Sequence, residues 1–315
     1  MSDRRFDFSK LKRYSLTDRP SKVSKRDLAK PVSVGSTMND FFNSLPAQLA
    51  GKWFWDAVIA VAEARKSGRK VHLACGAHVL KVGCGPIIAD LAENGIITAL
   101  SVNGAFLIHD FEIARIGFTS EDVEAGLSDG SFGMAEETAQ SLSASLMRGD
   151  SKNLGLASSI AIGIKEDPAT TPAMSALVRC MEAGVELTAH IALGTDIWHM
   201  ASEFDFATAG RAAGRDFELF TSLISQLEGG VFLNIGSAVI LPEVFLKALS
   251  AARNVTKHPM QLTTINMDFI QHYRPMQNVV RRPTALQGLG ISLTGHHEIM
   301  LPLLAAAIKE AMHQR

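Results

Sequence analysis

The chain has 315 residues, 47% of them hydrophobic, and a formal net charge of −1. That is enough material for one large core, and so even a balance gives no reason to expect nucleic acid or an anionic membrane as partner. No apolar run has the length of a membrane span, no secretory leader is read at the N-terminus, and three cysteines, Cys75, Cys84 and Cys180, point to a reducing, cytoplasmic setting rather than a disulfide framework.

The charge is uneven. Residues 1–30 hold ten Lys and Arg against four Asp and Glu, and the remainder holds 21 against 28. Residues 1–44 are therefore expected to form a solvated basic arm, and 45–315 a single α/β domain. A short helix is expected over 36–50 (STMNDFFNSLPAQLA). A second follows over 52–66, where apolar residues recur at helical spacing and stop at Gly68.

VHLAC (71–75) is a short apolar run ending at a glycine, suited to a buried parallel strand. The loop GAHVLKVGCG comes next, and Pro86 starts a helix that ends at Asn94-Gly95. A strand over 96–102 completes a βαβ unit. Thr119-Ser120-Glu121-Asp122 reads as a capping box, and helical patterns follow over 133–148 and 154–166. Thr171-Pro172 reads as an N-cap followed by proline. Strands are expected at 185–192, 231–236, 261–267 and 291–295, with helices over 212–227, from Pro242, and over the C-terminal IMLPLLAAAIKEAM. The segment QHYRPMQNVVRRPTALQGLG is too long for a simple connection.

This alternation predicts a doubly wound, mostly parallel sheet with helices on both faces. In such sheets ligands sit beyond the carboxyl ends of the strands. Polar residues gather in the turns just after the strands: His78 and Lys81, Asn103, His109, Asp110 and Glu112, Thr195, Asp196 and His199, then Asn266 and Asp268. An imidazole beside a carboxylate, as at His109-Asp110, can serve as a general base or a cation site, or simply open a helix. The glycines Gly76, Gly83 and Gly85 do not have the G-x-G-x-x-G spacing, but they allow close backbone approach before a helix N-terminus that favours an anion. His296-His297-Glu298 invites a metal reading. Adjacent histidines project to different sides of a helix, however, and no H-E-x-x-H occurs, so no metal site is assigned.

Taken in order, these blocks resemble the deoxyhypusine synthase family over residues 70–315. GAHVLKVGCGPIIADLAENGIITALSVNGA with HDFEIA is similar to the family's Gly-rich loop, helix, strand and acidic pair. VELTAHIALGTDIWHM is similar to its strand ending in Thr-Asp-Gly, and GGVFLNIGSAVILPEVFLKA to its Gly-Gly-Gly turn and helix. LTTINMD and HHEIMLPLLAAAI are similar to its Ile-Asn-Thr strand and last helix. The resemblance implies a deoxyhypusine synthase-like NAD-binding fold, a homotetramer, and NAD-dependent transfer or oxidation of a small amine or polyamine-like substrate. It places NAD against Gly76, His78, Lys81, Gly83, Asn103, Gly104, Ala105, Thr195, Asp196, Gly236, Ser237, Asn266 and Asp268. Asp110 would stand near the family's polyamine-binding glutamate, and Glu243 near its helix-borne histidine. His109, His199 and Arg282 complete the candidate catalytic groups.

One departure is sharp. The family's imine-forming lysine falls between Asp268 and Gly295, and that interval contains no lysine. Arg274, Arg281 and Arg282 stand there instead, and an arginine stays protonated. The expected function is therefore a transferase-like reaction other than deoxyhypusine synthesis. The alternative is a ligand-binding protein that keeps the fold without the chemistry.

Overall fold

A computed structural model describes residues 5–313 of the chain, so the first four residues of the basic arm lie outside it. Residues 5–26 are all exposed. They form short 3-10 turns whose first N–H groups are taken by Asp7, Ser15 and Ser24. Packing begins at α1 (Met38–Ser44), which a Thr37/Asp40 capping box opens and whose Phe42 is buried. Both helices expected over 36–50 and 52–66 form, but their boundary moves: the first ends at Ser44 and the second, α2 (Leu49–Lys66), starts three residues early. Phe54, Ala57, Val58 and Val61 form the buried stripe of α2.

The first βαβ unit follows the pattern read from the sequence. It comprises β1 (Val71–Cys75), the short α3 (His78–Lys81) inside the glycine-rich loop, α4 (Gly85–Glu93) and β2 (Ala99–Asn103). Next come α5 (Gly104–Ile116), α6 (Val123–Asp129), α7 (Glu136–Ser151), α8 (Leu156–Glu166) and α9 (Ala176–Glu182). Two expected helix starts move. Asp122, not Thr119, caps α6, accepting from Ala125 N at 3.1 Å. Thr171-Pro172 opens only a 3-10 turn, and Ser175 caps α9. In both places another side-chain oxygen lay closer to the first helical N–H groups.

The second half runs β3 (Glu186–His190), α10 (Phe206–Ser225), β4 (Val231–Ile235), α11 (Ile240–Thr256) and β5 (Leu262–Asp268). The basic connection is not a loop. It holds the single turn α12 (Tyr273–Pro275) and a π-helical turn over Met276–Arg281, ahead of β6 (Gly288–Thr294) and α13 (His297–His313). Among the described residues no helix is long and apolar enough to cross a membrane.

All strand pairs are parallel, in the order β3-β2-β1-β4-β5-β6. This is the doubly wound sheet the alternation predicts, and its order reverses between β1 and β4. The two faces differ. Leu73, Leu100, Leu233, Ile265 and Ile291 share one register row and bury against the main core with α2 and α13. The face under α10 and α11 is unusually polar. Thr188, Ser101, Ala74, Asn234, Asn266 and Ser292 occupy one row across it. There His72 Nε2 meets Ser101 Oγ at 2.7 Å, and Ser101 Oγ meets Thr188 Oγ1 at 2.6 Å. These three side chains pair with one another, whereas Thr264 Oγ1 and Asn234 Oδ1 on the same face are buried without a hydrogen-bond partner among the described residues.

Candidate functional site

The polar turns at the carboxyl edge of the sheet resolve into three clusters. The first lies at the reversal point. Gly76 N donates to Ile235 O at 2.9 Å, which ties the β1 turn to β4, and Gly236 N donates to Met267 O at 3.1 Å, which ties the β4 turn to β5. The approach is so close that a Cβ on Gly76 would lie 2.0 Å from Gly236 O. Gly236 itself has φ +65°, and a Cβ there would meet His297 Nε2 at 2.8 Å. His297 is fully buried, and neither of its ring nitrogens has a hydrogen-bond partner. Its Nε2 stands 3.6 Å from Asp268 Oδ1, and burial pushes its pKa down, toward the neutral ring. Phe269 and His78 pack on the same imidazole, with centroids at 5.8 and 5.7 Å. Beneath, Asn234 and Asn266 are bonded side chain to side chain. Ser237 Oγ accepts from Leu241 N at 3.3 Å near the start of α11, a helix whose N-cap residue, Val239, makes no side-chain capping bond.

The second cluster borders a cavity of about 190 Å³ beside the β2 and β3 turns. Lys81, Ala105, His109, Thr195 and Asp196 line it together, as do Glu112 and Glu121. His109 Nδ1 lies 2.6 Å from Thr119 Oγ1, and that hydroxyl donates to Glu112 Oε2 at 2.5 Å. Thr138 donates to the other Glu112 oxygen at 3.2 Å. Burial tends to raise the Glu112 pKa, but the His109, Thr119 and Thr138 side chains outweigh it and hold the carboxyl below its usual range. An ionised Glu112 can only accept, so the Thr119 hydrogen is committed to it. Thr119 then accepts from His109, which assigns the proton of a neutral His109 to Nδ1. Among the described residues Nε2 of His109 and the ammonium of Lys81 have no hydrogen-bond or ion-pair partner.

Asp196 forms the floor. Its Oδ2 is buried without a hydrogen bond and sits where a Cβ on Gly104 would be, 1.9 Å away, so Gly104 is required by close approach. Burial raises the Asp196 pKa to about 6 against the Ala105 N–H, which lowers it. Behind it, His199 Nδ1 accepts from Gly194 N and Asp196 N at 3.1 and 3.3 Å. Its Nε2 therefore carries the proton, 3.7 Å from Asp196 Oδ2. Asn103 spends its side chain on its own helix, accepting from Phe106 N at 3.2 Å.

The third cluster joins α11 to the basic segment. Glu243 accepts from Asn278 at 2.9 Å and pairs with Lys247, and with Arg274 at 3.4 Å. Arg282 donates to Asn278 at 2.7 Å. Gly83 stands at the exposed turn between α3 and α4. Asp110 is brought to none of the three clusters. It is buried under α9, where its carboxylate accepts from Ser175 Oγ, Ala176 N at 2.7 Å and Leu177 N at 3.2 Å. Adjacent to His109 in sequence, it points about 100° away around α5, toward α9. His296 and His297 likewise part company, one exposed and one buried. Among the described residues no group of three or more His, Cys, Asp or Glu is placed to hold a metal.

In the sequence pattern Thr119 and Asn234 have no place in a site, and His297 only that of a metal ligand. The spacing of His109 and Glu112, three residues apart on one helix, signalled part of the second cluster. Thr119 carried only the misread capping-box pattern.

No family model matches the sequence, and no curated protein sequence matches it. Solved structures do match in fold. AgrE in ternary complex with ornithine and NAD+ shares 13% identity at a TM-score of 0.53, over 85% of this chain and 34% of that one. A conserved LOR/SDH candidate protein from Methanococcus maripaludis S2 shares 13% at 0.53, over 89% and 72%. A deoxyhypusine synthase candidate from Entamoeba histolytica shares 10% at 0.51, over 87% and 93%. The chain spans about a third of the length of AgrE and of the arginine dihydrolase ArgZ, another structural match. At these identities the likeness is one of fold, an α/β architecture found in NAD-associated, enzyme-like proteins.

Proposed function

We propose that this protein is an NAD-dependent enzyme that oxidises, or transfers part of, a small amine or amino-acid-like substrate, and that it works in the cytoplasm as a homotetramer. The observation that carries the reading is the reversal point of the sheet. Two glycine turns meet there backbone to backbone, beside a buried carboxylate at the end of β5 and an imidazole with no partner. Those features suit a dinucleotide. Gly76, Gly236 and Ser237 would let phosphates approach the backbone at the start of α11. Asp268 is the residue type that accepts from ribose hydroxyls. NAD, when bound, supplies a hydride acceptor. His297, buried and held toward its neutral form, orients against Asp268 and keeps water from the crevice. The NAD complex of AgrE supports the choice of cofactor, and its ornithine supports an amine-bearing substrate. Authentic deoxyhypusine synthesis is not proposed, because no lysine lies between Asp268 and Gly295.

Titration calorimetry and thermal denaturation with NAD test the reading. Binding tighter than about 1 mM with a raised melting temperature is expected. Asp268→Asn should weaken it by about tenfold or more, the loss of one charge-assisted hydrogen bond pair. Absence of both heat and thermal shift would overturn it. Product from any amine in the presence of NAD would separate an enzyme from a protein that only binds.

A further inference from the structure

We propose that the cavity beside α5 is a proton-transfer site for a small molecule bearing both an ammonium and a carboxylate. His109 is its base, and Thr119 and Glu112 are positioning residues. The proposal rests on the carboxyl edge being the working edge of the sheet, as above, but it does not require NAD.

Three observations carry it. The first is the chain of hydrogen bonds from His109 Nδ1 through Thr119 Oγ1 to Glu112 Oε2, at 2.6 and 2.5 Å. With Glu112 ionised the chain has one direction, and it leaves the Nε2 lone pair of a cavity-lining imidazole unused. A base oriented by a second group that is oriented by a third is the arrangement general-base sites share. The second observation is the cavity. At about 190 Å³ it is smaller than the roughly 300 Å³ at which drug-sized sites begin, so it admits only a small molecule. The third is its charge. Lys81 has no ion-pair partner among the described residues, whereas Asp196 Oδ2 is buried without a hydrogen bond and Glu121 faces the same space. Glu112 is taken up by Thr119 and Thr138, so one unpaired cation and the Asp196 and Glu121 carboxylates remain to match a zwitterion, with its carboxylate toward Lys81 and its ammonium toward Asp196 and Glu121. A larger cleft of about 480 Å³ lies at the C-terminal end of α5 and is bordered by Glu112, Thr119 and Glu121 as well, but Lys81, His109 and Asp196 do not line it.

The step balances without another reactant. A substrate N–H or O–H bond breaks as Nε2–H forms, and the electron pair stays on the substrate heteroatom. The imidazolium keeps Nδ1–H on Thr119, and Glu112 stabilises its charge.

Two measurements test the proposal. Nitrogen-15 NMR of histidine-labelled protein reads the tautomer of His109 directly. The Nδ1–H form is expected in the wild type, diminished in Thr119→Val and restored in Thr119→Ser, with Glu112→Gln as a second variant should Thr119→Val not fold. A wild-type Nε2–H tautomer, or a Thr119→Val spectrum unchanged at His109, would overturn the relay. For the ligand class, L-lysine and cadaverine differ only in the carboxylate. L-lysine should bind the full chain at least about tenfold tighter, the worth of one charge-assisted contact, and Lys81→Met should erase the difference. Equal or tighter binding of cadaverine, or no binding of L-lysine, would overturn the class. NAD titrated into His109→Gln should bind as to the wild type. The cofactor reading and this one therefore fail separately.

Discussion

Asn234 Nδ2 donates to Asn266 Oδ1 at 2.7 Å, joining β4 to β5 inside a face with no access to water. The same amide also donates to Ser237 O at 2.8 Å, so the strand holds the turn that leaves it. Asn234→Ala strips two buried acceptors at once. A loss of about 2–4 kcal/mol is expected by urea denaturation. An unchanged midpoint would show that the reversal point holds its shape without this amide.

Asp216 ties α10 to α8 and β3. Its Oδ2 accepts from Ala157 N at 2.9 Å and Ala189 N at 2.7 Å. Gly155 makes room, since a Cβ there would be 1.8 Å from Asp216 Oδ1. Gly155→Ala and Asp216→Ala should each cost about 2–4 kcal/mol, one by clash and one by orphaned N–H groups. The double variant should cost clearly less than their sum, because removing the carboxylate removes the clash. Simple additivity in denaturation would contradict the contact.

Buried ionisable groups set opposed pH responses. Burial lowers His72 to about 3, with His190 adding to it, and lowers His190 to about 4. A lowered imidazole contributes stability that is full above its ordinary 6.5 and drains as pH falls. Burial raises Asp216 to about 7 and Asp110 to about 6, against the hydrogen bonds that lower them. A raised carboxyl contributes stability that is full below its ordinary 3.8 and drains as pH rises through those values. Each slope is at most about 1.4 kcal/mol per pH unit. Asp216→Asn should therefore compare better with the wild type at about pH 8 than at about pH 5, and His190→Gln should flatten the loss below about pH 6. Parallel stability curves for Asp216→Asn and wild type would refute the linkage.

Gly76→Ala places its methyl 2.0 Å from a backbone oxygen, which cannot rotate away. The β1 and β4 turns must separate to admit it. Loss of about 3 kcal/mol or more is expected, with NAD affinity falling alongside. Full NAD binding by a folded Gly76→Ala protein would move the cofactor away from this crevice.

The fold was legible because each strand is bounded by glycine or by a helix cap, and the switch between periods of about 2 and 3.6 is clear from β1 to α4. The sidedness of the sheet was harder to read. VHLAC and LTTINMD look like apolar runs, yet His72, Thr264 and Asn266 face one buried side and Leu73, Ile265 and Met267 the other. The site was legible as a set of turns but not as groupings. His109 and Asp110 are neighbours in sequence and diverge by about 100° around α5, so one reaches the cavity and the other a helix start. Thr119 meets Glu112 only because the chain folds back after Gly117 with φ +75°, which no local pattern announces.

The buried aspartates also impose an order on assembly. Asp110, which closes the first turn of α9, precedes that turn by about 66 residues. Asp216, which closes the first turn of α8, follows it by 59. A chain emerging from the ribosome can complete α9 as soon as it appears, because its acceptor is already made. The first N–H groups of α8 must wait for a carboxylate that has yet to be synthesised. Co-translational folding of the middle of this protein is therefore staggered, with α9 able to settle before α8, against their order in the chain.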